Sequence, residues 1–494
     1  MSHENEQHIT SPEAFSGEIL ARLRDIEVID PDSLAKLFAM SFGVDAYSRT
    51  LFLSLQTALL WRTVEHARRH TRYYKERAAY AAWQEGPATK RMRLDSWPTL
   101  DRATITHHFS EFMADDVHLR SVCHTSGTTG QPLEIYKSFE EVNFLSRFFT
   151  QLFQPAFTVP SRPLTLSFPT PHHGVPVPMP SPGISFVGGV TDDTLIRDAL
   201  RVLSTEYEVA NHDRRISILS GMAFQVLFFT SFLLEQQIDP KGFHLSSINI
   251  AGGFVPWHWR QFLGNAWGCA INDRFSLTET VGGASCCQTC QWFKPDPQVF
   301  FEVVEVDSEA TIDEGIGRLV VTNLYPFAQM MPLIRYATGD LVRCRSCHCM
   351  PSPVFQFLGR SRNAVSSGKG QNRRWFIFSA ELHEILAQIP DLNVYEWFSN
   401  VREVKDRTVG SLPIVSLKSL ENANGQLEIH LSAELKYAPH CYPERLRQLE
   451  DLIVGHLRTV EGSEFATAQD NGEMTFTIHF LPPSGLKDPY IIKI

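Results

Sequence analysis

Three features that define common protein classes are missing from this 494-residue sequence. No apolar run is long enough to span a bilayer, because the most apolar stretch, residues 224–234, is about half the length required. We expect that stretch to form a buried helix and the protein to have no membrane partner. Lys and Arg number 45 against 55 Asp and Glu and form no long block, so we expect no nucleic-acid partner.

The N-terminus also lacks the basic and apolar segments of a secretory signal peptide. Residues 1–6 are polar and acidic, so we expect a cytoplasmic protein. Disulfides are rare in that compartment. The nine cysteines therefore need another explanation.

Apolar periodicity predicts the secondary structure of the first 360 residues. From about residue 120, strands are predicted at residues 164–168, 248–251, 300–306 and 319–322, and helices at 194–204 and 223–237. This alternation predicts an α/β fold with a substantial sheet. Upstream, we predict one helix over residues 51–79 and another from an N-cap at Asp101 to residue 112.

The sequence becomes polar and basic after residue 360 and then takes on a different pattern. Helices are predicted at residues 379–389 and 446–457, and strands at 427–431 and 476–480. We therefore predict a large N-terminal α/β domain with more than one sheet, residues 1–360. A small C-terminal α+β domain, residues 361–494, follows it.

The most informative motif is a short loop of hydroxyl residues and glycines, formed by Thr125, Ser126, Gly127, Thr128, Thr129 and Gly130. Glycine lets the backbone turn tightly and approach a ligand. Backbone N–H groups and hydroxyls can then surround phosphate oxygens. The loop differs from the P-loop of kinases and GTPases, because no Gly-Lys-Ser/Thr follows it. The pattern predicts a phosphate-binding loop of another kind.

This loop resembles the phosphate-binding loop of the adenylate-forming superfamily, which includes acyl-CoA synthetases, adenylation domains and luciferases. Three further matches follow in the expected order: Phe-Ser-Leu-Thr-Glu at residues 275–279, Tyr-Ala-Thr-Gly-Asp at 336–340, and Gly-Arg at 359–360. Within the superfamily, residues 63–77, 97–101 and 481–487 are most similar to segments of phenylacetate–CoA ligases. The resemblance spans about residue 50 to the end.

The resemblance implies a role for each matching residue. Thr125 and the loop that follows would hold the phosphates of ATP. Other cofactor-binding residues would be Gly252 and Gly253 beside adenine, Phe275, Asp340 on the ribose hydroxyls, and Arg360. Thr278 and Glu279 are assigned to catalysis, and Glu279 would also ligand Mg²⁺, which favours carboxylate oxygen.

The C-terminal match implies that Lys487 stabilises the charge that builds up as a carboxylate attacks the α-phosphorus of ATP. Lys493 is the alternative for this role. His172 and His173 would lie beside the acid substrate, which family expectation makes aromatic.

The implied activity is ATP-dependent conversion of a carboxylic acid to an acyl-adenylate, followed by transfer to coenzyme A. Residues 359–363 differ from the family's hinge motif, so the first step is better supported than the second. Gln131, which replaces the family's usual Lys, and the altered hinge both favour a homologue that binds nucleotide without catalysis. The alternatives are transfer to a carrier-protein thiol or to an amine, and a non-catalytic nucleotide-binding homologue.

Six of the nine cysteines fall in two tight groups, Cys286, Cys287 and Cys290, and Cys344, Cys347 and Cys349. Two such groups in a cytoplasmic protein predict a Zn²⁺ ion bound by four thiolates. The site would be structural, because four protein ligands leave no open position. The predicted ligands are Cys287, Cys290, Cys347 and either Cys344 or Cys349. An iron–sulfur cluster is the alternative.

Overall fold

The computed structural model describes residue 23 and residues 28–42, 45–80, 93–125, 132–169, 183–422 and 426–486. No helix in these ranges is both long and apolar enough to cross a membrane. The helices before residue 360 are α1 (Pro31–Ser41), α2 (Ala46–His70), α3 (Arg72–Glu76), α4 (Arg102–His107), α5 (Phe139–Leu152), α6 (Gln154–Phe157), α7 (Asp193–Ser204), α8 (Ala223–Glu235) and α9 (Trp257–Trp267).

The strands before residue 361 are β1 (Leu119–His124), β2 (Glu134–Ser138), β3 (Arg162–Phe168), β4 (Ile184–Val187), β5 (His212–Met222), β6 (Ser247–Ala251), β7 (Ala270–Ser276), β8 (Gly283–Cys286), β9 (Phe293–Pro295), β10 (Val299–Val304), β11 (Thr311–Ile312), β12 (Gly315–Asn323), β13 (Tyr336–Arg345) and β14 (Val354–Arg360). Strands β1 and β2 form a hairpin. The other twelve form one sheet in the order β11-β10-β12-β13-β14-β9-β8-β7-β6-β5-β3-β4.

This large sheet has a parallel half and an antiparallel half. Strands β4, β3, β5, β6 and β7 are parallel, and α7, α8 and α9 pack with them in one apolar core. Residues 225–233 of α8 are all buried, which explains the most apolar run in the sequence. The remaining strands are antiparallel, and they share a second core with α1, α2 and α5.

The C-terminal part has its own core and its own small sheet. Its elements are β15 (Val365–Ser367), β16 (Arg374–Ile377), α10 (Ser379–Leu386), β17 (Val415–Glu421), β18 (Leu427–Glu434), α11 (Pro443–Leu457), α12 (Phe465–Asp470) and β19 (Met474–Leu481). Strand β18 pairs antiparallel with β17 and parallel with β19. Buried apolar residues from these elements form one core. The predicted fold class, a large α/β part followed by a smaller α+β part, is confirmed.

Two predicted helices end earlier than the sequence pattern indicates. The helix expected over residues 51–79 breaks at Thr71, which has extended backbone angles and whose hydroxyl donates to the Ala67 carbonyl at 2.7 Å. The other helix has the predicted N-cap, because Asp101 accepts a hydrogen bond from the Thr104 N–H at 2.7 Å. It ends at His107 instead of residue 112, since a turn at His108 leads into a separate short 3₁₀ helix.

A segment of the C-terminal part, residues 395–411, reaches back and packs against the parallel half of the large sheet; we call it the docking segment. The segment begins and ends in the small domain, where Val394 and Pro413 on either side of it form an isolated β-bridge. Its apolar side chains Phe398, Val401 and Val404 are buried in the core formed by α7, α8 and α9. The two parts of the chain are therefore joined by shared core packing as well as by the chain itself.

Carboxylates at two helix ends hold the docking segment through its backbone. Asp193, at the start of α7, accepts from the N–H groups of Arg402 at 2.8 Å and of its neighbour at 3.0 Å. Glu235, at the end of α8, accepts from the N–H groups of Lys405 at 2.6 Å and of Asp406 at 2.9 Å. Charge-assisted bonds of this kind are stronger than neutral ones, so they reinforce the apolar contact.

Candidate active site

Two adjacent antiparallel strands place an acidic and a basic residue opposite each other. Asp340 in β13 is in register with Arg360 at the end of β14, and Arg360 Nη1 lies 3.1 Å from Asp340 Oδ1. The same nitrogen donates to the Thr338 carbonyl at 2.7 Å. Gly339 has a φ of 81°, a conformation that favours glycine. The structure therefore brings two of the predicted site residues, Asp340 and Arg360, into contact.

The Asp340 carboxylate is almost completely buried, with 2% of the residue exposed. Burial raises the pKa of Asp340 to about 6, although the Arg360 guanidinium opposes the shift. Within the described residues, its Oδ2 atom accepts no hydrogen bond. Buried polar atoms are normally satisfied, so this oxygen is suited to accept from a ligand hydroxyl such as that of a ribose.

A second carboxylate, Glu279, lies in the turn after β7 and is buried beside the start of β13. Tyr336 Oη donates to Glu279 Oε1 at 2.9 Å, and Asn323 Nδ2 donates to the Glu279 carbonyl at 2.8 Å. Burial, together with the charge of Glu279, raises the pKa of Tyr336, so the phenol remains a donor. Thr278 precedes Glu279 in the same turn. A carboxylate fixed in this way is suited to bind a hard cation such as Mg²⁺.

Sequence reasoning missed Arg102, which connects the predicted phosphate loop to these residues. Arg102 Nη2 donates to Thr125 Oγ1 at 2.9 Å, and the same oxygen accepts from the Leu133 N–H at 2.9 Å. A bridge between Leu100 and Tyr336 places Arg102 where its charge opposes the rise in the pKa of Tyr336. The one sequence signal was that Arg102 directly follows the segment at residues 97–101.

The predicted adenine-binding residues lie at the carboxyl end of the parallel strands. Gly252 and Gly253 follow β6 with φ values of 83° and 153°, and a Cβ on Gly253 would have no heavy atom within 4 Å. In neighbouring β7, the Phe275 ring centroid is 5.7 Å from that of Phe355 and 6.2 Å from that of Phe357. Open α/β sheets bind their ligands at this edge, so the glycines and Phe275 are well placed for a nucleotide base.

The other predicted substrate and phosphate ligands fall outside the described residues. They are Ser126, Gly127, Thr128, Thr129 and Gly130 of the loop, His172 and His173, and Lys487. Their roles stay predictions from the sequence.

Four of the clustered cysteines come together between the end of β8 and the loop that joins β13 to β14. Cys290 Sγ lies 3.6 Å from Cys349 Sγ, and Cys347 Sγ lies 2.7 Å from Cys349 Sγ. The sulfurs of Cys287, Cys290 and Cys349 all lie within 4.8 Å of one another. Burial opposes ionisation of Cys287, yet hydrogen bonds from backbone N–H groups lower the pKa of its thiol to about 7. Burial also opposes ionisation of Cys347, yet hydrogen bonds from Cys349 lower its pKa, whereas burial raises the pKa of Cys290 and of Cys349. Two of the four thiols are therefore favoured as thiolates.

The two other cysteines of these groups have different surroundings. Cys344 in β13 is buried in the core of the antiparallel half, and its Sγ lies 3.8 Å from the Ile312 carbonyl oxygen. Cys286 Sγ lies 3.7 Å from Arg260 Nη1. The sequence spacing left Cys344 and Cys349 as alternatives for the fourth ligand. The structure brings Cys349 to the other three cysteines and leaves Cys344 in the core.

No family model matches this sequence, and no curated protein matches it. Among solved structures, the chain is similar to an open conformation of 2-hydroxyisobutyryl-CoA ligase in complex with 2-HIB-AMP and CoA. The identity is 13% and the TM-score 0.59, over 90% of this chain and 90% of that one. Two postadenylation-state structures of that ligase are also similar, each with a TM-score of 0.56 over 91% of this chain and 89% of theirs. The complex with R3-HIB-AMP is 12% identical and the complex with 2-HIB-AMP 13%.

At these identities the similarity is one of fold. The chain has the fold of the adenylate-forming CoA ligases, as its ordered motifs predicted. The narrower resemblance to phenylacetate–CoA ligases stays a prediction.

Proposed function

We propose that this chain is an ATP-dependent acid–thiol ligase that forms an acyl-adenylate and transfers its acyl group to coenzyme A. The observation that carries the proposal is that Glu279, Tyr336, Asp340 and Arg360 come together where β13 begins and β14 ends. Arg102 connects them to Thr125. These groups belong to separate segments, and each has the chemistry that one part of Mg²⁺-ATP requires. The fold supports the same reading, because solved structures that share it are CoA ligases with adenylates bound.

The first half-reaction follows from the roles of these groups. The unsatisfied Oδ2 of Asp340 accepts from the ribose hydroxyls, Glu279 binds Mg²⁺, and Thr125 begins the loop that holds the phosphates. The substrate carboxylate attacks the α-phosphorus, and the bond to pyrophosphate breaks to give the acyl-AMP. Lys487 stabilises the negative charge on the phosphoryl oxygens during this attack.

In the second half-reaction the CoA thiolate attacks the acyl carbonyl, the bond to AMP breaks, and the thioester forms. We place the domain division at residue 360, with residues 361–494 moving as a lid that withdraws Lys487 and admits the thiol. Such gating by a mobile domain is common when one site serves two steps. The docking segment at residues 395–411 then acts as a latch, because it must leave its core or bend as the lid moves.

The test is pyrophosphate release from Mg²⁺ and ATP, screened over aryl and aliphatic carboxylic acids with and without CoA. One acid is expected to stimulate release, and CoA to convert the adenylate to a thioester. Lys487→Ala should lower release by about 10²–10³-fold, while the matched variant Lys493→Ala should leave it unchanged. If Lys493→Ala lowers pyrophosphate release and Lys487→Ala does not, the lysine that stabilises the phosphoryl charge is Lys493.

Other outcomes of the same assay point to the alternatives. Adenylate without CoA thioester indicates a carrier-protein thiol or an amine as the acceptor. No pyrophosphate release with any acid, despite ATP binding, would refute the enzymatic proposal and favour a non-catalytic nucleotide-binding homologue.

We further propose that Cys287, Cys290, Cys347 and Cys349 hold a structural Zn²⁺ ion. Sulfurs of a tetrahedral Zn²⁺ site with bonds of about 2.3 Å lie about 3.8 Å apart. The pair Cys290 and Cys349 is already near that separation at 3.6 Å, whereas the pair Cys347 and Cys349 would have to widen from 2.7 Å. Reduced thiols are needed for such a site, and all nine cysteines are free.

A further inference from the structure

Two histidines on helix α2 form a cluster with an aspartate that includes none of the residues assigned to ATP and none of the cysteines. His66 and His70 are four residues apart and therefore lie on one face of the helix. Asp116 lies in the segment before β1, which is fixed to the end of α2 because the Asp115 N–H donates to the His70 carbonyl at 3.0 Å. His66 is buried, while the side chains of His70 and Asp116 are 33% and 34% exposed. The cluster can therefore be reached from solvent.

The hydrogen bonds of the two imidazoles determine which nitrogen of each ring carries the proton. His66 Nε2 lies 2.9 Å from the Gln329 carbonyl oxygen, and His70 Nδ1 lies 3.1 Å from Asp115 Oδ1. A carbonyl and a carboxylate only accept, so both of these nitrogens are donors. In the neutral rings, the other nitrogens, His66 Nδ1 and His70 Nε2, present lone pairs.

Both lone-pair nitrogens lie near the same carboxylate oxygen. Asp116 Oδ2 is 3.7 Å from His66 Nδ1 and 3.6 Å from His70 Nε2, and the three ligand atoms all lie within 4.8 Å of one another. These distances are too long for hydrogen bonds. Three acceptor atoms that face one another repel unless a cation lies between them or one of the rings takes up a proton. Around a tetrahedral metal ion with bonds of about 2.0–2.1 Å, ligand atoms are about 3.3 Å apart, so a small contraction would suffice.

The surroundings of the cluster match those of metal-binding histidines. Such a histidine almost always donates its other N–H to a carbonyl or a carboxylate, which fixes the ring and its tautomer. The Gln329 carbonyl and the Asp115 carboxylate occupy these two positions. The Tyr325 ring packs on His66 with centroids 4.7 Å apart, which further limits rotation of the imidazole.

We propose that His66 Nδ1, His70 Nε2 and Asp116 Oδ2 bind a divalent first-row transition-metal ion such as Zn²⁺. Two imidazoles and one carboxylate suit this class of ion, whereas Mg²⁺ and Ca²⁺ prefer all-oxygen sites. Three protein ligands leave at least one coordination position open, so a water molecule or a small anion completes the site. The site is independent of the four cysteines and of the proposed ligase reaction.

The test measures Zn²⁺ binding by the full-length protein after removal of metal with a chelator. A background with Cys290→Ser and Cys349→Ser removes the thiolate site, so that the remaining stoichiometry reports the histidine cluster. Calorimetric titration is expected to show one Zn²⁺ per chain. Because loss of a second-shell partner lowers metal affinity by about 10–100-fold, removal of a ligand in His70→Ala or Asp116→Asn should lower it by at least about 100-fold.

Two further variants separate a built site from incidental binding. His118→Ala removes an imidazole that pairs with Glu140 on the surface and should leave the affinity unchanged. Asp115→Ala should weaken binding by about 10–100-fold, because it removes the acceptor that orients His70. Substituted Co²⁺ should give visible absorption that is lost in Asp116→Asn. One equal affinity across all variants, or no Zn²⁺ bound in the background with Cys290→Ser and Cys349→Ser, would overturn the proposal.

Discussion

Asp340 is buried, and within the described residues only one of its two carboxylate oxygens has a partner. Burying the charged carboxylate destabilises the fold, so replacing Asp340 should stabilise the protein while impairing its activity. Burial raises the pKa of Asp340 from an ordinary 3.8 to about 6. That difference corresponds to about 3 kcal/mol. The folded-state pKa is the higher one, so the folded protein retains this proton longer than the unfolded chain as the pH rises. The contribution to stability is fully present below about pH 4 and is lost as the pH rises through about 6.

Asp340→Asn keeps the shape of the side chain and removes its charge. At pH 7.5 we expect the variant to be more stable than the parent by up to about 3 kcal/mol, less whatever the lost attraction to Arg360 contributes. At pH 4.5 about two thirds of the difference should disappear, since the carboxyl is then protonated in the folded protein but mostly ionised in the unfolded chain. Urea unfolding followed by tryptophan fluorescence at both pH values measures the change, and the chain has nine tryptophans.

The same substitution should weaken the binding of ATP. The ribose hydroxyls lose a charged acceptor, and hydrogen bonds to charged groups contribute about 1.5–3 kcal/mol, so kcat/KM for ATP should fall by roughly 10–150-fold. Asp307→Asn is the matched control, because Arg373 holds the pKa of Asp307 below its usual range and no stabilisation is expected. A variant at Asp340 that loses stability equally at pH 4.5 and 7.5 would show that the carboxylate has a structural role, and the reasoning from burial would fail.

Three further predictions test other parts of the structure. Arg102→Ala should lower kcat/KM for ATP by roughly 10–150-fold, because a charged hydrogen bond to the loop is lost. Arg102→Lys should recover part of the lost kcat/KM. Unchanged pyrophosphate release in the Ala variant would show that Arg102 does not belong to the site. Cys290→Ser should release about one equivalent of Zn²⁺ and lower the melting temperature, whereas the exposed Cys441→Ser should do neither; equal metal content in both would exclude the thiolate site. Phe398→Ala should free the docking segment, since truncating a buried Phe costs about 3–5 kcal/mol. Trypsin should then cut within residues 402–407 at least about a hundredfold faster than in the parent protein. The control is Tyr395→Ala, because that side chain is exposed. Equal cleavage of the two variants would contradict the proposal that the docking segment is a latch.

The ordered motifs of the sequence predicted the fold and several residues of the site because those motifs are local. Asp340 and Glu279 each sit in a short pattern whose residue types reflect one chemical task. Arg102 has no such pattern. The position of Arg102 beside the site depends on the β-bridge between Leu100 and Tyr336. These two residues are more than two hundred positions apart in the sequence, so local residue spacing cannot predict their contact.

The cysteines show the same division between local and long-range information. Their two tight groups predicted a thiolate site from spacing alone. The choice between Cys344 and Cys349 depended on the course of β13, which directs Cys344 into the core, and on the loop after it, which returns Cys349 to Cys290. Spacing fits both choices equally well, so tertiary packing had to decide.

The sequence by itself determined the elements whose causes lie within a few residues, such as the buried apolar run of α8 and the N-cap at Asp101. The turn-forming motifs of the proposed nucleotide site are local in the same way. The tertiary structure alone decided which distant segments meet. It placed Phe398, Val401 and Val404 in the core of the large domain and brought Asp116 to His66 and His70. The physical reason is that helix and turn signals depend on interactions between near neighbours, whereas these contacts depend on how whole elements pack, and many residue types satisfy that packing equally well.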